Sequence, residues 1–118
     1  MKGVILLGHG SRDPLWRKPM EAVAARIAER EPALMVRCAY LERDQPDLYG
    51  AAAELVAAGV RSLSVMPMFL GAGRHAREDL PALIEDLRVR QPGLWVQLKA
   101  PVGEDTRVLD LLAAIASE

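Results

Sequence analysis

Short apolar runs alternate along this chain with longer stretches whose apolar residues recur at helical spacing, a pattern that predicts a parallel sheet covered by helices. Val4 to Leu7 is apolar at every position, which predicts a strand buried on both faces and therefore central. Met20, Val23, Ala24 and Ile27 share one face of a helix that ends before Pro32, and a second strand is predicted from Leu34 to Leu41. Leu48, Ala51, Ala52, Leu55 and Val56 form the next helical stripe, closed by Gly59. Leu63 to Met68 predicts a third strand, stopped by Pro67 and Gly71-Ala72-Gly73, and Pro81 suits the first turn of a helix carrying Leu83, Ile84 and Leu87.

From Leu94 to Ala100 the pattern changes, because Leu94, Val96 and Leu98 alternate with Trp95, Gln97 and Lys99. One face of this fourth strand must meet solvent or a partner, as an edge strand does. Asp105 can cap a last helix whose stripe is Val108, Leu111, Leu112 and Ile115. The expected fold is α/β: one domain over residues 1–118, with a four-stranded parallel sheet in order 2-1-3-4 and helices on both faces.

Composition narrows the setting. The 118 residues are 51% hydrophobic, enough to build a core without disulfide staples. Cys38 is the lone cysteine, so an intramolecular disulfide and a multi-cysteine zinc site are excluded; inside a strand it reads as a buried, inert thiol. A cytoplasmic setting is expected, since the apolar run from Met1 stops at Gly8-His9-Gly10, short of a signal segment or a membrane span. With 15 Lys and Arg against 16 Asp and Glu, no overall field favours nucleic acid or an anionic membrane. Any anionic ligand must be met by a local cluster.

Ligands of open parallel sheets bind beyond the carboxyl ends of the strands. His9 follows the first strand, Glu42 the second and His75 the third, and these are the only two histidines of the chain. Two imidazoles and a carboxylate suit Co²⁺, Ni²⁺, Fe²⁺ or Zn²⁺ and leave coordination positions open. The adjacent Gly8, Gly10, Gly71 and Gly73 allow tight turns and close approach of a bulky ligand. Taken singly, a loop histidine more often serves structure or solvent than chemistry, and Glu42, with Arg43 and Asp44 beside it, reads as ordinary surface. Two histidines at equivalent strand ends shift the balance toward a metal.

Other residues near the rim carry weaker signals. Ser11 lacks the G-x-S-x-G elbow of a hydrolase, and no further histidine remains to complete a triad. Arg12, Lys18, Arg74 and Arg77 lie close in sequence to the histidines; arginine forks grip carboxylates, which makes Arg12 and Arg74 the foremost candidates for an acidic substrate. Met66, Met68, Phe69 and Leu70 are either core or a platform for a flat macrocycle or a partner subunit.

Leu6-Leu7-Gly8-His9-Gly10-Ser11-Arg12-Asp13-Pro14 resembles the N-terminal signature of the sirohydrochlorin chelatases of cobalamin and siroheme synthesis. Tyr40-Leu41-Glu42 with Gln45-Pro46 resembles their second motif, and Pro67-Met68-Phe69-Leu70, Gly73-Arg74-His75 and Asp79-Leu80-Pro81 their third. Tyr40 departs from the phenylalanine expected there and would add a hydroxyl near the site. The resemblance implies that His9 and His75 bind the metal, with Glu42 assisting in the same cleft, and Ser11, Arg12 and Arg74 are the candidates for holding substrate. The metal is then itself a substrate, Co²⁺ first and Fe²⁺ or Ni²⁺ as alternatives, with no organic cofactor.

Insertion displaces two pyrrole protons, so such a site must hold the metal with labile ligands, accept protons and seat the macrocycle. Longer relatives join two such domains in one chain; a short form can imitate them as a homodimer, with the Met66 to Leu70 stretch or the outer face of the fourth strand at Trp95 as contact. Two rivals stay in view. A non-catalytic metal or tetrapyrrole carrier would use the same histidines, whereas a histidine phosphatase would need Arg-His-Gly where Gly8 precedes His9.

Overall fold

The structure, a computed structural model, describes all of residues 1–118. Strands β1 (Lys2–Gly8), β2 (Met35–Tyr40), β3 (Ser62–Pro67) and β4 (Trp95–Leu98) form one parallel sheet in the order β2-β1-β3-β4. The register sets Leu6 beside Cys38 and Met66, and Leu63 beside Val96. The predicted order holds for the predicted reason. Ile5, Leu6 and Leu7 are all fully buried although they alternate between the two faces, so only a central position satisfies β1.

Helices α1 (Lys18–Arg30), α2 (Leu48–Ala57), α3 (Arg74–Arg90) and α4 (Thr106–Ala116) follow the four strands, with a short 3-10 turn at Val102–Glu104 before the last. On one face, Leu48, Ala51 and Leu55 of α2 and Leu80, Ile84 and Leu87 of α3 pack on Ile5, Leu7, Leu63, Val65 and Val96. Each such leucine contributes on the order of 1.5–3 kcal/mol by leaving water. The other face is thinner: α1 covers β1 and β2 around Leu6, Met20 and Tyr40.

Local signals set several boundaries. Asp47 caps α2 by accepting from the Gly50 amide, and Gly59, at φ 106°, closes it while the Val60 amide returns to the Leu55 carbonyl. Pro32 drives Glu31 out of helical geometry and ends α1. Asp105 caps α4 as predicted, its carboxylate accepting from the Arg107 amide.

Three expectations need correction. Pro81 does not open α3; the helix starts seven residues earlier, at Arg74, and carries Pro81 in its interior. Proline there removes one backbone bond and costs about 3 kcal/mol. The burial of Leu80, with Ile84 and Leu87 behind it, offsets that cost, and Arg74, Ala76, Arg77 and Glu78 favour the helical turn before the proline. Cys38 is half-buried rather than buried; burial first, then the charge of Glu21, pushes its thiol pKa up and keeps it in the unreactive form. The stripe of α4 covers no core, because none of its residues is buried and Leu111 and Ile115 are more than half exposed.

Candidate functional site

The rim begins where β1 and β2 stop. Their pairing continues past both strands: the Leu41 amide donates to the Gly8 carbonyl and the Glu42 amide to the His9 carbonyl, each at 2.9 Å. Gly10, at φ 101°, makes this possible, since a Cβ there would lie 1.6 Å from the Glu42 carbonyl oxygen. His9 and Glu42 are thus fixed side by side by backbone bonds. A second tie lies beneath them. Asp44 accepts from the Ser11 amide at 2.9 Å and pairs with the Arg17 guanidinium at 2.8 Å, its side chain only 10% exposed. Asp44 is therefore not ordinary surface.

The His9 ring is set from the third strand. Pairing of β1 with β3 runs on through the Met68 amide to the Leu7 carbonyl, which delivers Phe69 to a buried position under His9. The two rings stack with centroids 4.2 Å apart and planes 20° from parallel. His75 arrives differently. It is the second residue of α3, exposed, and enters after Gly71-Ala72-Gly73, two glycines of which face open space.

His9, Glu42 and His75 line one open cavity of about 670 Å³, the size of a small-ligand site. Leu41, Leu80 and Leu83 give it an apolar wall; Tyr49, Asp79 and Asp86 complete its polar lining. The donors share the cavity without converging, for no three His, Cys, Asp or Glu side chains stand close enough to enclose a metal ion. The cavity presents imidazole and carboxylate groups, donor types that borderline divalent metals accept.

Sequence reasoning missed the acidic stripe. His75, Asp79, Ala82 and Asp86 fall on one face of α3, a periodicity that becomes legible once the helix starts at Arg74. Tyr49 donates to Asp86 at 2.8 Å, and Arg90 sits 3.7 Å over the Tyr49 ring while pairing with Asp86 at 3.3 Å. Burial, then that bond to Asp86, pushes the Tyr49 pKa up.

No lysine or arginine lines the cavity. Ser11 uses its hydroxyl to accept from the Asp13 amide, Arg74 pairs with Glu78, and Arg12 is exposed on the loop after His9. Arg77 donates to the Ala72 carbonyl and faces a separate depression with Lys99. Tyr40 does not bring its hydroxyl to the site. Its side chain packs across the sheet with Leu6 and Met20, and burial foremost pushes its pKa up to about 12. Of the Met66 to Leu70 stretch, Phe69 serves the site, Met66 and Met68 pack on the opposite face, and Leu70 is 72% exposed.

Fold and site together define an open parallel α/β domain with an imidazole- and carboxylate-lined cleft at the carboxyl ends of its strands. The sequence model of the CbiX family matches residues 3–118, and the chain belongs to that family. It is 31% identical to a sirohydrochlorin cobaltochelatase from Sulfurisphaera tokodaii over 114 residues, 95% of this chain and 88% of that one. A CbiX protein structure from Marinobacter aquaeolei superposes with a TM-score of 0.86 at 32% identity, covering 99% of this chain and 95% of the other. The sirohydrochlorin chelatase SirB from Bacillus subtilis, solved with cobalt, shares the fold at a TM-score of 0.82 and 22% identity; the match covers 98% of this chain but 50% of SirB. No helix is long and apolar enough to cross a membrane.

Proposed function

We propose that this chain inserts a divalent metal, Co²⁺ before Fe²⁺ or Ni²⁺, into sirohydrochlorin in the cytoplasm, as a step of cobalamin or siroheme biosynthesis. The observation that carries the reading is the meeting of His9, Glu42 and His75 around one cavity at the sheet's carboxyl rim. The name of the Sulfurisphaera tokodaii relative supports the choice of substrate.

The chemistry follows from the lining. The metal enters as substrate and is held by the imidazoles of His9 and His75, drawn by Glu42, Asp79 and Asp86 in a cavity without lysine or arginine. Two pyrrole N–H bonds break as the metal exchanges its protein ligands for the four ring nitrogens, and the two protons leave through the second histidine, Glu42 or water. Two imidazoles and a carboxylate leave coordination positions open, through which the ion passes on to the macrocycle. The apolar wall of Leu41, Leu80 and Leu83 seats one face of the ring. The eight carboxylates of sirohydrochlorin stay outside the acidic lining, where Arg12, Arg74 and the backbone around Ser11 meet them. Two copies form the working unit, because a tetrapyrrole disc is broader than one domain of this size encloses.

The test is an insertion assay with each metal in turn, read by the shift in tetrapyrrole absorption. His9→Ala and His75→Ala should each lower the rate at least about 100-fold, beyond the scale of losing an outer-sphere partner, with far-UV dichroism unchanged. Glu42→Gln should lose less, since water can replace a proton acceptor. Wild-type turnover by folded His75→Ala, or binding of metal and sirohydrochlorin without turnover, overturns the reading; the second result makes the chain a carrier.

A further inference from the structure

We infer that Asp79 is a further metal ligand of this cleft, acting with His75 as a pair one helical turn apart on α3, so that an incoming divalent cation is received on the helix. The inference rests on the reading that a divalent metal is the substrate. Side chains four residues apart on a helix share a face, with their Cβ atoms about 5–6 Å apart, a spacing that a single metal ion bridges. His75 and Asp79 have that spacing, both are exposed, and both line the cavity of about 670 Å³. Their relation depends on where α3 begins. A helix opening at Pro81 would leave both residues in a loop, whereas the start at Arg74 sets them on one continuous face.

The three carboxylates of the lining are not equivalent. Glu42 shares its charge with the Arg43 guanidinium at 3.7 Å. Asp86 accepts from the Tyr49 hydroxyl at 2.8 Å and pairs with Arg90 at 3.3 Å. Even Glu78, beside Asp79 in the chain, pairs with Arg74. Asp79 alone of the three keeps its carboxylate clear of any basic side chain, and no lysine or arginine of the lining can reach it. A cation entering the cleft meets its one unshared negative charge there.

His75 needs that neighbour. As the second residue of α3 it stands at the positive end of the helix, where the unpaired amides of the first turn oppose a cation. A neutral imidazole brings no charge to offset this. The opposing field fades within the first turn, and Asp79 lies just beyond it, close enough to share an ion with His75. The two ligands also differ in hold. Oxygen donors suit harder ions than imidazole does, so the bond from Asp79 to a borderline ion is the one that breaks first as a ring nitrogen bonds to the metal.

Titration of the 118-residue chain with Co²⁺, followed by calorimetry and by the visible absorption of bound cobalt, tests the pair without any tetrapyrrole. Wild type should bind, and His75→Ala and Asp79→Asn should each weaken binding more than about tenfold, beyond the loss of a group that only supports a ligand. The double variant should lose little more than either single one, since the two residues act as one unit. Glu85→Gln removes the same charge from an exposed position of α3 outside the cavity, and should leave the affinity within about twofold. Asp79→His is the sharpest variant. Above the ordinary imidazole pKa of about 6.5 it sets two neutral imidazoles at the same spacing and should bind at least as tightly as wild type. Binding by Asp79→His as weak as by Asp79→Asn, or an Asp79→Asn loss that disappears at high salt, means that only the charge of Asp79 counts and overturns its role as ligand. Far-UV dichroism should not change, as both positions are exposed, and Asp79→Ser should repeat the loss should Asp79→Asn fail to fold. Co²⁺ held through the pair by a chain that inserts no metal leaves this inference standing and makes the chain a carrier. Wild type that binds no Co²⁺ overturns the pair and the insertion reading together.

Discussion

His9 and Glu42 stand on backbone that is bonded strand to strand, whereas His75 enters the same cavity from the first turn of α3, after a loop held at Ala72 between two glycines. Behind the first pair lie the Glu42-to-His9 backbone bond, the close passage at Gly10, the Asp44 tie to Ser11 and Arg17, and the Phe69 stack. Behind His75 lie two glycines in open space and the first turn of α3. One half of the site is pre-set by strand-to-strand bonds, so little ordering entropy is lost there when a ligand arrives; the other half rests on α3 and on Ala72.

The contrast can be broken most forcefully at Phe69. Phe69→Ala removes a buried ring and should cost about 3–5 kcal/mol in urea unfolding, together with a loss of metal insertion. A loss under about 1 kcal/mol would mean that the stack does not brace His9. Gly10→Ala should come next, at about 3 kcal/mol, because it combines a strained φ with a collision against the Glu42 carbonyl. Its crystal structure should show Glu42 displaced from His9; an undisturbed rim would refute the account of how the pair is held.

A smaller effect lies behind the fixed half, on the far face of the sheet. Tyr40 stays protonated in the folded chain up to a pKa of about 12, while the unfolded chain ionises near the ordinary value of 10.0. Above pH 10 the unfolded state loses its proton first, so stability falls as pH rises toward 12, by at most about 1.4 kcal/mol per pH unit. Tyr49 adds in the same direction. Urea titrations at pH 9 and 11 should show the fall, and Tyr40→Phe should flatten it; an unchanged slope would remove Tyr40 from the account. The smallest effect belongs to the half that rests on α3. Gly71→Ala, with open space around it and no positive φ, should change stability by under about 1 kcal/mol, toward greater stability if anything, by restricting the unfolded chain. A loss as large as that of Gly10→Ala would erase the distinction between the halves.

Local pattern alone determined the sheet. The all-apolar Val4 to Leu7 run required a central strand, the alternation from Leu94 required an edge, and both follow from how many faces a strand buries. The order of motifs fixed which ends of which strands bear His9, Glu42 and His75. Tertiary structure decided the rest, because the forces concerned act between distant residues. The Asp44 tie spans 33 residues to Ser11 and 27 to Arg17. The start of α3 depends on Leu80 finding a core that outweighs Pro81, and with that start came Asp79 and Asp86 as cavity lining. The stripe of α4 was plain in the sequence, yet periodicity states only that a helix has an apolar side; that this side lies outside the chain's own core was decided by the tertiary fold.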